Sequence, residues 1–235
     1  MKCKKHIYIG RNGKKKRRNI RMSYKEVYQG GSGEIVEKKS RFIATVEHVE
    51  TEQDAVDFIQ RMRKKYYDAR HNCFAYVIGK KQEIQRCSDD GEPSQTAGKP
   101  MLDILLREDL HNVVVVVTRY FGGILLGTGG LVHAYQKATQ EGLADATIIE
   151  KKEGVKLTIQ TDYNGVGKLQ YLFATNQIEI IDTQYTDQVE QTIMVPLDKK
   201  ETLVKEITDT TSGQAEISEG KPVEYAFVKG ELLLF

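Results

Sequence analysis

No apolar run in this 235-residue chain approaches the roughly 20 residues that a membrane-spanning helix needs. The N-terminus has no apolar core of the kind a secretory signal requires. An integral membrane protein and a secreted one are thereby set aside, and the chain is expected in the cytoplasm. Cysteine is also scarce. The three present, Cys3, Cys73 and Cys87, are odd in number and far apart, which argues against a disulfide framework and for a reducing compartment. A zinc site fails on spacing, because His71 and Cys73 form one close pair and Cys87 alone supplies no second. Internal repeats, heptads and low-complexity tracts are absent too. What remains is a chain long enough for one large or two small domains, each with a real core.

Acidic residues are missing altogether from one segment. Residues 1–22 carry ten Lys or Arg and no Asp or Glu, so the formal net charge of +2 conceals an acidic body of 25 basic against 33 acidic residues, a net of −8. A uniform charge block without apolar periodicity has nothing to tie it to a core. Residues 1–22 are therefore expected to be a disordered basic extension, upstream of a start at Met22, in preference to an arm that neutralises phosphates.

Past Met22 the pattern is that of a folded chain. GEIVEKKS and RFIATVEHV read as two strands of a hairpin, with Phe42, Ala44 and Val46 alternating against Ile43 and Thr45. Thr51 is a helix N-cap, and Ala55, Phe58, Ile59, Met62 and Tyr66 recur at helical spacing up to Asp68. Residues 72–79 return to a strand. The polar stretch 80–100 is too long for an idle connection and is expected to be a functional or a disordered loop. A short helix over Met101 to Arg107 precedes Val113 to Val117, five valines in a row, which only a deeply buried strand accommodates.

The pattern changes at residues 149–154 (IEKKEG), where a domain boundary is placed. Beyond it come a strand (Val155, Leu157, Ile159), a helix (Val166, Leu169, Leu172, Phe173) and two strands (178–185 and 189–195). A helix opened by a capping box of Asp198 and Glu201 and ended by Gly213, then the strand AEIS, complete the ferredoxin-like order. The expected division is an extension over 1–22, a first domain over 23–150, a second over 151–220, and a tail over 221–235 able to add a strand.

Arg119, Tyr120 and Phe121 follow the valines, and five glycines lead into a helix. Neither common nucleotide-binding pattern fits. Gly127 and Gly129 would need a third glycine where Val132 stands, and Gly122 with Gly127 has P-loop spacing, but Thr128 replaces the required lysine. Two readings stay open. Bare amides from Thr128 to Gly130 cradle a phosphate with Arg119 as a second clamp, or the glycines serve only a tight turn and close packing. The cluster Ser88, Asp89, Asp90, Gly91, Glu92 is equally two-sided: its carboxylates hold Mg2+ together with substrate phosphates, or they form a solvated turn. Asp68, Arg70 and His71, at a helix-to-strand junction, contact phosphate or move protons, or are a surface ion pair beside a satisfied histidine.

Taken together, KKSRFIA (38–44), DARHNCFAYVIG (68–79), SDDGEPSQTAGKPM (88–101) and RYFGGILLGTGGLVHAY (119–135) closely resemble the YigZ/IMPACT family, four motifs in the family's order. The resemblance covers 23–150 strongly, and 155–218 looks like the C-terminal domain of bacterial members. It implies an α+β fold. The first domain would have the left-handed βαβ fold shared with a small-subunit ribosomal protein, elongation factor G domain IV, RNase PH and the GHMP kinases. The second would be a ferredoxin-like βαββαβ domain similar to elongation factor G domain V. Eukaryotic relatives regulate translation with an added N-terminal RWD domain, which no region here matches, so that role is not transferred.

For bacterial members the resemblance carries over the shared core and not a defined biochemical role, and the leading expectation is a non-enzymatic, translation-related regulator that binds ribosome, rRNA or tRNA. Arg41, Arg70, His71, Lys99, Arg119 and Tyr120 would meet phosphate or bases, and the turn formed by Gly122, Gly123, Gly127, Thr128, Gly129 and Gly130 would cradle a phosphate. The acidic body confines such contact to a local patch. Two rivals stand beside it. One is a Mg2+-dependent enzyme acting on a phosphorylated small molecule or RNA end, in which Asp89, Asp90 and Glu92, beside Asp68 and Ser88, hold the ion, Arg70 and Arg119 clamp phosphate and His71 is the acid or base. The other is a protein-binding module anchored by Tyr120 and Phe121.

Overall fold

Both faces of a strand must be covered before five successive valines can be buried, and that requirement organises the first half of the molecule. The computed structural model describes residues 23–235; the basic extension 1–22 lies outside them. Strands β1 (Ser23–Gln29), β2 (Gly31–Glu37) and β3 (Ser40–His48) are followed by helix α1 (Glu52–Lys65) and strands β4 (His71–Ile78) and β5 (Ile84–Ser88). Next come helix α2 (Gly98–Arg107), the short strand β6 (Leu110–His111), the valine strand β7 (Val113–Tyr120) and helix α3 (Gly127–Asp145).

β2, β3, β7, β4 and β5 form one antiparallel sheet in that order. β3 and β4 both run antiparallel to β7, which lies between them, so β3-α1-β4 is a split βαβ unit. Val113, Val115 and Val117 pack with α2 and α3 in a core that includes Phe42, Met101, Leu105 and Tyr135. Val114 and Val116 pack on the other side with Phe58 and Ile59 of α1. The Thr51 capping box starts α1 as expected, its side chain accepting from the Asp54 amide while Asp54 reaches back to the Thr51 amide.

The second half runs through β8 (Thr147–Thr161), α4 (Tyr163–Thr175), β9 (Ile180–Tyr185), β10 (Val189–Pro196), α5 (Lys200–Thr210), β11 (Glu216–Val228) and β12 (Glu231–Leu234). The strand order β11-β8-β10-β9, antiparallel throughout, is the ferredoxin-like arrangement. Leu169 and Phe173 of α4 and Leu203 and Ile207 of α5 cover Val155, Leu157 and Ile159 of β8. The architecture is therefore α+β, with two sheets and five helices among the described residues.

The structure departs from the sequence pattern in places that have physical reasons. Residues 149–154 lie inside one continuous strand: the first part of β8 pairs with β1 and the rest with β10 and β11. The two halves have separate cores but share that strand. β1, at the start of the described chain, thereby joins the second sheet, and it also pairs in parallel with β6. The polar stretch 80–100 contains β5, an edge strand against β4. Asp198 and Glu201 form no capping box, because α5 starts one residue later, with Lys199 as a cap that makes no side-chain bond. The tail does add a strand, β12, folded back on the extended end of β11 through Lys229 and Gly230, both at positive φ.

Candidate functional site

Register places His71, the first residue of β4, beside Arg119 near the end of β7. Around that pair three stretches far apart in sequence, Arg70 with His71, Glu92 with Pro93, and Arg119 through Leu131, line one cleft of about 430 Å3. Its floor is a buried polar chain. Arg119, 6 % exposed, donates from Nη1 to Glu92 Oε1 at 2.6 Å, and the Tyr135 hydroxyl donates to the same oxygen at 2.9 Å. Cys73 Sγ lies 3.3 Å from that hydroxyl and 3.0 Å from the Asp89 carbonyl. Burial pushes both the Cys73 thiol and the Tyr135 phenol well above their ordinary values, so neither is a ready nucleophile.

The Arg119 guanidinium lies against two rings, 5.3 Å from the centre of Phe42 and 5.6 Å from that of Phe121. Its Nε is buried and has no hydrogen-bond partner among the described residues. A buried N–H left without an acceptor is costly to the fold.

The walls differ from the floor. Arg70 is exposed and makes no ion pair among the described residues. His71 Nδ1 lies 2.9 Å from the Asp90 carbonyl. A carbonyl only accepts, so Nδ1 carries a proton, and in the neutral ring Nε2 is an acceptor. At the rim, α3 begins with Leu126 as N-cap and no side-chain cap bond. A Cβ at Gly127 or Gly129 would meet nothing within 4 Å, and Gly127 sits at φ +74°, so the first amides of the helix border open space. Gly122 follows the other reading of the glycines: a Cβ there would fall 2.0 Å from the Lys39 carbonyl carbon, and its amide donates to Ser40 Oγ at 3.1 Å. Gly123, at φ +83°, makes the turn, and Gly130 packs on Leu126.

The acidic cluster is used differently from the magnesium reading, which fails on geometry. Asp89 accepts from the amides of Gln95, Ala97 and Gly98, capping the start of α2 from outside. Asp90, at φ 41°, accepts from the Asn72 amide and from Arg63, and its own amide donates to Ser88 Oγ. Glu92 belongs to Arg119 and Tyr135. The three carboxylates point at different donors and do not share a site, and no group of three His, Cys, Asp or Glu among the described residues is placed to hold one ion. Three expected contacts also lie off the cleft. Arg41 makes a two-pronged bond to Glu34 at 2.6 and 2.8 Å, Lys99 pairs with Asp103 at 2.5 Å, and Tyr120 donates to Asp68 at 2.7 Å, which raises the Tyr120 pKa.

Sequence pattern alone does not single out Pro93, Leu125, Leu126 or Leu131, which line the cleft with the charged groups. The available signal is the turn FGGILLG itself, where Leu126 packs against the core but its apolar neighbours do not. Phe121 is 52 % and Leu125 82 % exposed.

The chain matches the Impact N-terminal domain over residues 38–143 and a domain of unknown function, DUF1949, over residues 159–214. The Bacillus subtilis (strain 168) protein named IMPACT family member YvyE is 42% identical, over 85% of this chain and 92% of its own. IMPACT family member YigZ of Escherichia coli (strain K12) is 36% identical, over 77% of this chain and 89% of its own. A crystal structure of a hypothetical protein, 33% identical, superposes with a TM-score of 0.54 over 83% of this chain and 96% of its own. These likenesses span both halves of the fold in the order found here, and the chain belongs to the IMPACT family, with an Impact N-terminal domain followed by a DUF1949 domain.

Proposed function

We propose that this protein is a translation-related regulator that binds ribosomal RNA or tRNA through phosphate contacts in the cleft of its first domain. The convergence of Arg70, His71, Arg119 and the α3 N-terminus on one cleft carries the reading. Phosphate oxygens are the acceptors such donors fit: an exposed guanidinium with no ion pair among the described residues, and helix amides without a side-chain cap, favoured further by the helix dipole. The acidic body keeps the contact local, because broad electrostatic attachment would need a basic face.

Co-sedimentation of the full chain with ribosomes and with purified tRNA, over rising salt, tests it. Wild type is expected to lose affinity steeply as salt rises. Arg70→Glu and Thr128→Glu, both at exposed positions, are each expected to weaken binding at least tenfold while melting like wild type. The basic residues 1–22 are common to all three proteins, so the difference reads the cleft. Equal binding by wild type and both variants overturns the proposal.

A further inference from the structure

A cleft of about 430 Å3 is far larger than one phosphate, and most of its lining is apolar. Phosphate donors sit at Arg70 and the α3 amides. Phe121, Leu125, Leu126 and Leu131 line the same cleft. Two of these apolar residues are conspicuous for being left in water: Phe121 is 52 % and Leu125 82 % exposed, and Ile124 beside them is 43 % exposed. The Phe121 ring is not mobile decoration, since it lies against the Arg119 guanidinium, which itself rests on buried Phe42. The result is an aromatic face stacked on a fixed support and backed by positive charge.

From this geometry, and resting on the phosphate reading above, we infer that the cleft takes a single unpaired nucleotide of an RNA strand, its base against Phe121 and Leu125 and its phosphate at Arg70 and the Thr128 and Gly129 amides. A paired base hides both its ring faces in the stack and cannot reach Phe121. An unpaired one offers a ring to the aromatic platform and polar edges to His71, whose Nδ1 is taken by the Asp90 carbonyl, which leaves Nε2 for the base. The cleft thus selects single-stranded loops, bulges or ends over duplex. Stacking of this kind tolerates any base.

The test uses the full chain and a ten-nucleotide RNA carrying 2-aminopurine at its centre, alone and annealed to its complement. Binding of the single strand is expected to change the 2-aminopurine emission and to be at least tenfold tighter than binding of the duplex. Phe121→Ala is expected to weaken the single strand at least tenfold, a loss of about 1.4 kcal/mol, and Phe121→Tyr to retain affinity. Leu125→Asp, at a position more exposed still, gives a second variant should Phe121→Ala fold poorly, and is expected to weaken binding in the same direction. Equal affinity for single strand and duplex, with Phe121→Ala and Leu125→Asp silent and Arg70→Glu still damaging, overturns the nucleotide inference and leaves the phosphate reading standing. If Arg70→Glu is silent as well, both fall. Weakening of an apolar peptide probe by Phe121→Ala, without effect on RNA, also overturns the inference and assigns the wall to a protein.

Discussion

Two ion pairs lie deep among the described residues, and the company each keeps is different. At the junction of β1 and β8, neighbours in one sheet, Lys151 Nζ is 2.5 Å from Glu26 Oε1. Asn112 donates to the second Glu26 oxygen at 3.3 Å, and the Lys151 ammonium sits 3.9 Å above the Phe235 ring. Under the cleft, Arg119 and Glu92 are as close and as buried, but Arg119 Nε has no partner among the described residues and the side chain lines the cleft. A pair whose neighbours belong to adjacent strands holds those strands together. A pair left one acceptor short, beside a cleft, is a floor for a ligand.

The sharpest way to break this comparison is to remove one member of the junction pair. Lys151→Ala leaves the Glu26 carboxylate, 2 % exposed, buried without its counter-ion. Breaking a buried pair in this way costs about 3–5 kcal/mol. Urea unfolding is expected to show a loss of that size, with RNA affinity unchanged where the variant remains folded. A loss under about 1 kcal/mol would mean that the junction is held by strand pairing alone.

Glu92→Gln makes the complementary change under the cleft. The amide still accepts from Arg119 and Tyr135, but the charge-assisted bond becomes an ordinary one, for a stability loss of about 1–2 kcal/mol. Arg119 then faces the cleft as an uncompensated cation, so RNA affinity is expected to rise severalfold. Stability and affinity moving in opposite directions is the signature of a ligand floor. A fall in both would reduce Arg119–Glu92 to a second structural staple.

How much of this was legible beforehand follows from what local pattern can carry. The valine strand, the α1 helix with its Thr51 cap and the ferredoxin-like order were readable because periodicity and capping are local signals. β5 was not, since the exposed edge segment IQRCS shows little apolar alternation. The charges of the run EKKEG mask the strand that passes through it. Lys151 points inward to Glu26, a carboxylate 125 positions away, while Glu150 is exposed. The family motifs brought the correct segments into view, yet they did not reveal that Asp89 caps α2 or that Glu92 closes on Arg119. Both facts depend on side chains meeting across separate elements. Arg41 and Lys99 looked like Arg70 in sequence, and only their partners Glu34 and Asp103 set them apart.

Alkaline pH offers the gentlest separation of the two regions. In the unfolded chain the Cys73 thiol loses its proton near its ordinary value of 9.0, whereas burial behind the cleft holds that proton to a higher pH in the folded protein. The stability linked to it is therefore fully present below pH 9 and drains away as pH rises above it, by up to about 1.4 kcal/mol per pH unit. At the junction the group with the corresponding behaviour is Tyr24, whose ordinary value is 10.0 and which burial and Glu224 push upward. Its share is lost only above pH 10. Melting temperature followed from pH 8 to 10 is thus expected to begin falling near pH 9 in wild type, with a shallower slope between 9 and 10 in Cys73→Ala and an unchanged one in Tyr24→Phe. Exposed Cys87, where burial also raises the thiol, is held constant in all three proteins. If Cys73→Ala and wild type descend in parallel, the thiol is not held behind the cleft as tightly as its contacts with Tyr135 and Asp89 require.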